Sequence, residues 1–128
     1  MVEPVKIDAH QHFWQISRGD YDWMPDDVAD IRHDILPPDL SSLIDHHGIT
    51  GTVVVQAAAT VAETEFLLGL AEQTNFIKGV VGWVDLEDAD APQTLDRLMQ
   101  STAFKGVRPM LKRLLCQKQL IPCPAPMM

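Results

Sequence analysis

Apolar residues follow two rhythms along this chain. Val5–Ala9, Thr52–Ala57, Lys78–Val84 and Phe104–Arg108 are short apolar runs. The second and third, with Val53-Val54-Val55 and Gly79-Val80-Val81-Gly82-Trp83-Val84, are rich in β-branched residues and nearly continuous. That pattern suits parallel strands covered on both faces. Between the runs, apolar residues recur at helical spacing. Leu40, Leu43, Ile44 and His47 lead to a stop at Gly48. Thr60-Val61-Ala62-Glu63 is a capping-box start, followed by Phe66, Leu67, Leu70 and Ala71. Asp90-Ala91-Pro92-Gln93 opens a third helix with Leu95, Leu98 and Met99 as its stripe. The order is β, long loop, α, β, α, β, α, β. It predicts an α/β fold of about four parallel βα units joined by right-handed crossovers.

Two segments depart from that rhythm. The 26 residues from Phe13 to Pro38 are rich in Asp, Trp and Pro, and a loop of that length is commonly functional or partly disordered. Phe13, Trp14, Tyr21 and Trp23 are expected to pack the loop, or to help it fold over the carboxyl ends of the strands. From Lys112 to Met128 there is no acidic residue, and Pro122, Pro124 and Pro126 punctuate the end. Beyond one helical turn around Leu114 and Leu115, regular structure is not expected there.

Charge narrows the function. A net charge of −8 disfavours nucleic acid, which needs clustered Lys and Arg, and equally an anionic membrane surface. The longest uncharged run, His46–Ala62, holds two His, two Gly, three Thr and a Gln, too short and polar to span a bilayer. Met1 to Ala9 lacks the regions of a signal peptide. Cys116 and Cys123 stand as C-x6-C with no histidine after them, neither a zinc-ribbon spacing nor a disulfide framework. The expected location is cytoplasmic.

The sharpest chemical signal is Asp8-Ala9-His10-Gln11-His12. On a strand, alternate side chains share a face, so Asp8, His10 and His12 point the same way. Two imidazoles so placed can chelate a divalent metal that acidifies water and polarises a carbonyl. Parallel α/β folds gather such residues at the carboxyl ends of their strands. Gln56, closing the second run, can donate to a substrate carbonyl or hydroxyl, or bond a neighbouring loop. Trp83 and Asp85, on one face at the end of the third, can wall a pocket and accept from a sugar hydroxyl. Trp83 is otherwise core, and Asp85 merely a loop start. Arg108, closing the fourth, can anchor a carboxylate or ring oxygen, or else pair with an acidic loop. His46 and His47 are read as helix-end residues rather than metal ligands, since a histidine there complements the helix dipole. His33 is read as a loop residue.

Taken in order, Ile7-Asp8-Ala9-His10-Gln11-His12-Phe13-Trp14, Tyr21-Asp22-Trp23-Met24, Gly51-Thr52-Val53-Val54-Val55-Gln56-Ala57, Glu63-Thr64-Glu65-Phe66-Leu67-Leu68, Gly79-Val80-Val81-Gly82-Trp83-Val84-Asp85-Leu86 and Lys105-Gly106-Val107-Arg108-Pro109 resemble the amidohydrolase-related enzymes of the amidohydrolase superfamily. That family includes L-fuconolactonase, L-rhamnonolactonase and 2-pyrone-4,6-dicarboxylate lactonase. The resemblance implies an eight-stranded TIM barrel that opens a sugar-acid or related lactone by water attack on the carbonyl. It further implies catalytic roles for His10, His12 and Asp8, and substrate contacts from Gln56, Trp83, Asp85 and Arg108. The cofactor is a divalent metal (zinc first) on His10 and His12, or none. Family members resemble chains about twice this length, with a further histidine and a catalytic aspartate in the second half. No His follows His47 and no Asp follows Asp96 here. The expectation is therefore the N-terminal half of a barrel over residues 1–111, poorly active alone, and a non-family tail over 112–128, frameshifted or disordered. A different class of reading is a non-catalytic half-barrel that self-associates through its exposed edges or binds a ligand. A third is a cyclase or decarboxylase on the same barrel.

Overall fold

Four strands, β1 (Ile7–Gln11), β2 (Gly51–Val55), β3 (Ile77–Gly82) and β4 (Phe104–Val107), form one sheet in the order β1-β2-β3-β4. Every neighbouring pair is parallel, as the alternating pattern requires. The computed structural model describes residues 4–25, 27, 30–110, 118–119 and 122. The expected helical turn at Leu114–Leu115 and most of the expected irregular tail lie outside the described residues. Helices α1 (Pro37–His46), α2 (Val61–Gln73) and α3 (Ala91–Leu98) fill the three connections. A sheet whose strand order equals its chain order, joined by crossovers of one hand, is wound in one direction, as in a (β/α) barrel. The register shifts once in each of the three pairs, a local irregularity of the bulge type.

Local chemistry explains the helix ends. Pro37 and Pro38 occupy the first turn of α1, where a missing N–H costs nothing. Gly48 follows with φ +68°, a left-handed conformation that stops the chain cleanly. The Thr60 hydroxyl accepts the Glu63 N–H at 3.0 Å, the first half of the expected capping box. The second half is absent, because the Glu63 side chain turns elsewhere.

Phe13, Val54, Leu67 and Val80 are fully buried at the centre of the core, with Leu68, Ile77, Val84 and Leu98 around them. Met99, expected on the α3 stripe, is 63% exposed, since the helix ends at Leu98 and the chain turns away. The strand limits also move. β1 begins two residues later than the apolar run, leaving Val5 at 71% exposure. β2, β3 and β4 end before Gln56, Trp83 and Arg108, which therefore lie just past the ladder. The long loop is ordered by its own contacts where it is described. Trp14 and Ile35 form an antiparallel bridge, and Ile16–Arg18 makes a turn of 3-10 helix. Tyr21, Met24, Ala57 and Ala58 form a second small core flanked by Trp14 and Trp23.

Candidate active site at the carboxyl ends of the strands

Parallel pairing puts Gln11, Val55, Gly82 and Val107 at one side of the sheet, and the candidate residues follow from those ends. His12 stands one residue past β1. Its Nδ1 lies 2.8 Å from the Val55 carbonyl oxygen. A carbonyl only accepts, so Nδ1 carries the proton and the neutral ring presents its lone pair at Nε2. Burial pulls the His12 pKa below its ordinary 6.5; the bond to Val55 opposes this, and the nearby charges of Arg108 and His10 add to the lowering. Burial thus favours the neutral ring, and the Val55 bond places its proton on Nδ1, as a base or a ligand requires.

His10 is exposed on β1, its ring centroid 5.0 Å from that of His12 in an edge-on arrangement. Asp8 lies on the same strand, but its carboxylate accepts the His10 backbone N–H at 3.0 Å. Between the two histidines, Gln11 points the other way and accepts the Thr52 hydroxyl at 2.9 Å. Two imidazoles supply at most two of the three protein ligands of a catalytic zinc. Among the described residues no group of three metal-ligating side chains exists. The described donors therefore do not make a complete metal site.

Gln56 and Arg108 meet each other. Arg108 donates from Nε and Nη2 to the Gln56 side-chain oxygen at 3.1 and 2.6 Å, and from Nη2 to the Gln56 carbonyl at 2.8 Å. The Gln56 amide nitrogen returns a long bond to the Arg108 carbonyl at 3.3 Å. Both backbones are also tied to β3, Gln56 N–H to Val81 O at 2.8 Å and Arg108 N–H to Gly82 O at 2.9 Å. Gln56 is wholly buried, so the geometry gives it Arg108 as a partner and no free face. Arg108 is half-buried, and burial lowers its pKa, though a guanidinium stays charged. The acidic loop partner considered for Arg108 is not what holds it.

Trp83 and Asp85 do not share a strand face, because β3 ends at Gly82. Trp83 is half-buried, whereas Asp85 is exposed in a turn with its carboxylate accepting the Glu87 N–H at 3.1 Å. His33 bonds the carbonyls of Asp30 and Asp34 within its loop. His46 and His47 lie exposed at the end of α1, as expected of helix-end residues.

Pattern reading missed Glu63 as more than a cap. It is wholly buried, and its carboxylate accepts the Ala57 N–H at 2.7 Å, Arg18 Nη1 at 2.7 Å and the Tyr21 hydroxyl at 3.0 Å. Arg18 also pairs with Asp20 at 2.9 Å and lies over the Phe66 ring at 4.4 Å. Burial, then the Glu63 charge, pushes the Tyr21 phenol well above its usual range. Residue type could not single it out, since Glu65 lies two residues on and is exposed, but a buried acid needs donors, and the long loop carries Arg18 and Tyr21.

The amidohydrolase family model matches residues 7–115. The chain is 45% identical over 109 residues to an L-fucono-1,5-lactonase of Burkholderia ambifaria, covering 85% of this chain and 38% of that protein. A second L-fucono-1,5-lactonase, from Burkholderia multivorans, is 37% identical over 110 residues, 84% of this chain and 36% of that one. Among solved structures, an amidohydrolase from Burkholderia multivorans with bound zinc superposes with a TM-score of 0.75 at 36% identity, covering 85% of this chain and 38% of that chain. The chain thus spans well under half the length of these relatives. No helix among the described residues is long and apolar enough to cross a membrane.

Proposed function

The chain belongs to the amidohydrolase family, and we propose that it carries part of a site that opens the ring of a sugar-acid lactone, with an L-fucono-1,5-lactone-like substrate as first choice. The observation carrying this reading is His12, held neutral with Nδ1 bonded to Val55 O beside an oriented Arg108 cation. In the proposed step, water adds to the ring carbonyl while His12 Nε2 takes its proton. The ring C–O bond then breaks, His12 passes that proton to the ring oxygen, and the new carboxylic acid releases its remaining proton to solvent, leaving a hydroxy-carboxylate. His10 positions the carbonyl, and Asp8 fixes the His10 backbone. Arg108 faces the developing negative charge and then the product carboxylate. Gln56 serves by orienting Arg108, Trp83 by walling the site, and Asp85 by meeting a sugar hydroxyl. A divalent metal, zinc by analogy with the solved relative, would need ligands beyond His10 and His12. Residues 1–111 are read as the barrel part and 112–128 as a tail, although the family match runs to residue 115. A cytoplasmic location belongs to the same reading, supported by cysteine spacing unlike a disulfide framework.

The test grafts residues 7–111 in place of the matching segment of the Burkholderia ambifaria lactonase and measures opening of L-fucono-1,5-lactone. Activity within about tenfold of the parent, roughly 1.4 kcal/mol of barrier, is expected, falling by about 10²–10⁴ on His12→Ala. A folded graft without activity, or one indifferent to His12→Ala, overturns the reading. The 128-residue chain alone should turn over little, because its two histidines lack the remaining groups of a complete site.

A second reading is favoured by one observation. Among the described residues β1 and β4 each pair on one side only, and Ile7 on β1 is 42% exposed. An open edge templates association, so the chain is expected to self-associate. A sharp monomer boundary in sedimentation at micromolar concentration would count against it.

A further inference from the structure

Glu63 and Thr64 are adjacent, both wholly buried, and both polar. They close the first turn of α2, and neither spends its side chain on its own helix. Glu63 takes Ala57 N–H on one carboxylate oxygen, and Arg18 and Tyr21 on the other. The Thr64 hydroxyl donates to the Trp83 carbonyl at 2.8 Å and receives the Trp83 N–H at 2.7 Å. Two consecutive residues therefore reach three loops: the β1–α1 loop through Arg18 and Tyr21, the β2–α2 loop through Ala57, and the β3–α3 loop through Trp83.

Each contact fits its residue type closely. Three donors converge on Glu63, and only a carboxylate can accept from both sides. A carboxamide must offer a donor on one side, leaving Ala57 N–H or the Arg18–Tyr21 pair unmet. The Ala57 peptide is fixed at both ends, since its carbonyl accepts Trp23 Nε1 at 2.6 Å. Thr64 reaches Trp83 because Gly82 has no side chain. A Cβ at Gly82 would lie 2.4 Å from Thr64 Cγ2 and 2.7 Å from Oγ1. The hydroxyl takes over both backbone groups of Trp83 where the ladder ends.

We propose that Glu63 and Thr64 act together as a positioning pair that sets the β1–α1, β2–α2 and β3–α3 loops against one another at the mouth of the sheet. Glu63 seats the Arg18–Trp23 segment on Ala57, and Thr64 sets the backbone from which Trp83 projects. The inference deepens the lactone-site reading and rests on it only for the identity of the ligand.

Amide exchange in the 128-residue chain reads the two arms separately, because Ala57 N–H and Trp83 N–H are themselves the bonds in question. Glu63→Gln should speed exchange at Ala57 and across residues 15–24 at least about tenfold, while Trp83 stays protected. Thr64→Val should do the reverse, and Thr64→Ser should restore protection at Trp83. Val54 and Val80 amides, in the strands, should keep their protection throughout. Tyr21 is the chain's one tyrosine, so the tyrosinate absorbance band reports it alone. In Glu63→Gln its ionisation should move down toward the ordinary value. Unchanged Ala57 and Trp83 protection, or a rise shared equally by Val54 and Val80, overturns the proposal. If Glu63→Gln does not fold, Tyr21→Phe with Arg18→Met tests the same arm: residues 15–24 should loosen with Ala57 still protected, and no loosening overturns it. Addition of L-fucono-1,5-lactone separates the two readings. If wild-type His12 resonances do not respond while the exchange pattern holds, the lactone reading fails and the positioning pair stands.

Discussion

Gln56→Met isolates the contact that fixes the site's cation. The replacement keeps nearly the same volume in a fully buried position and removes the acceptor of two Arg108 bonds, at 3.1 and 2.6 Å. Hydrogen bonds to a charged group contribute about 1.5–3 kcal/mol each. The longer one is worth roughly half the shorter, and Arg108 is only half-buried, so water replaces part of the loss. The Gln56 backbone carbonyl still accepts Nη2 at 2.8 Å and survives the substitution. These considerations bring the expected cost to about 2 kcal/mol. For a chain of this size that is roughly 6–10 °C in midpoint. The decisive assay is a double-mutant cycle by thermal unfolding of wild type, Gln56→Met, Arg108→Met and the pair. The coupling should be about 1.5–2 kcal/mol, since residues sharing a hydrogen-bond network are not additive. On the proposed lactone-site reading, binding of the ring-opened product L-fuconate should weaken about tenfold in Gln56→Met, because a guanidinium freed to rotate loses its preset geometry. Coupling below about 0.5 kcal/mol, the range of independent sites, would refute the view that Gln56 acts through Arg108.

Other outcomes follow from the same geometry. His12 has a depressed folded pKa, so the unfolded chain binds more protons just below 6.5. Stability should be full above that pH and fall as pH drops through the folded pKa, a slope that His12→Gln should flatten in denaturant titrations. Tyr21 has a raised folded pKa, so stability should be full below its ordinary value of 10.0 and fall as pH rises beyond it, less steeply in Tyr21→Phe. Gly82→Ala should destabilise by about 1–3 kcal/mol through overpacking against Thr64. Thr64→Ser, lacking the methyl that lies nearest, should recover part of that loss, and no recovery would show that the crowding lies elsewhere.

The sheet was legible because its signal is local. A β-branched run such as Val53-Val54-Val55 declares a covered strand whatever surrounds it, and Thr60 declares the start of α2 through a bond three residues away. Parallel order then follows from alternation and handedness. Strand ends were less legible, since hydrophobicity continues after the ladder stops. Trp83 and Val84 are as apolar as Val80, yet the Thr64 hydroxyl takes Trp83 out of the sheet. Periodicity cannot see that exchange, because it depends on a glycine at position 82 meeting a helix 18 residues earlier in the sequence.

The site divides along the same line. His10 and His12 could be picked out because their chemistry and their alternation lie within three consecutive positions. The roles of Gln56 and Glu63 depend on partners 52 and 45 residues away, which residue type alone does not name. A carboxamide leaving an apolar run looks like a substrate contact, but β2 is flanked by β1 and β3, so the position just past it is enclosed by the loops that follow its neighbours. A glutamate at the third position of a helix looks like a cap, but full burial forces it to find donors that one helix end cannot supply. In both cases the polar group past a central strand is satisfied by another part of the site's frame rather than by solvent. Gln56, past the central strand β2, is spent on orienting Arg108, whereas His10, on the edge strand β1, stays exposed.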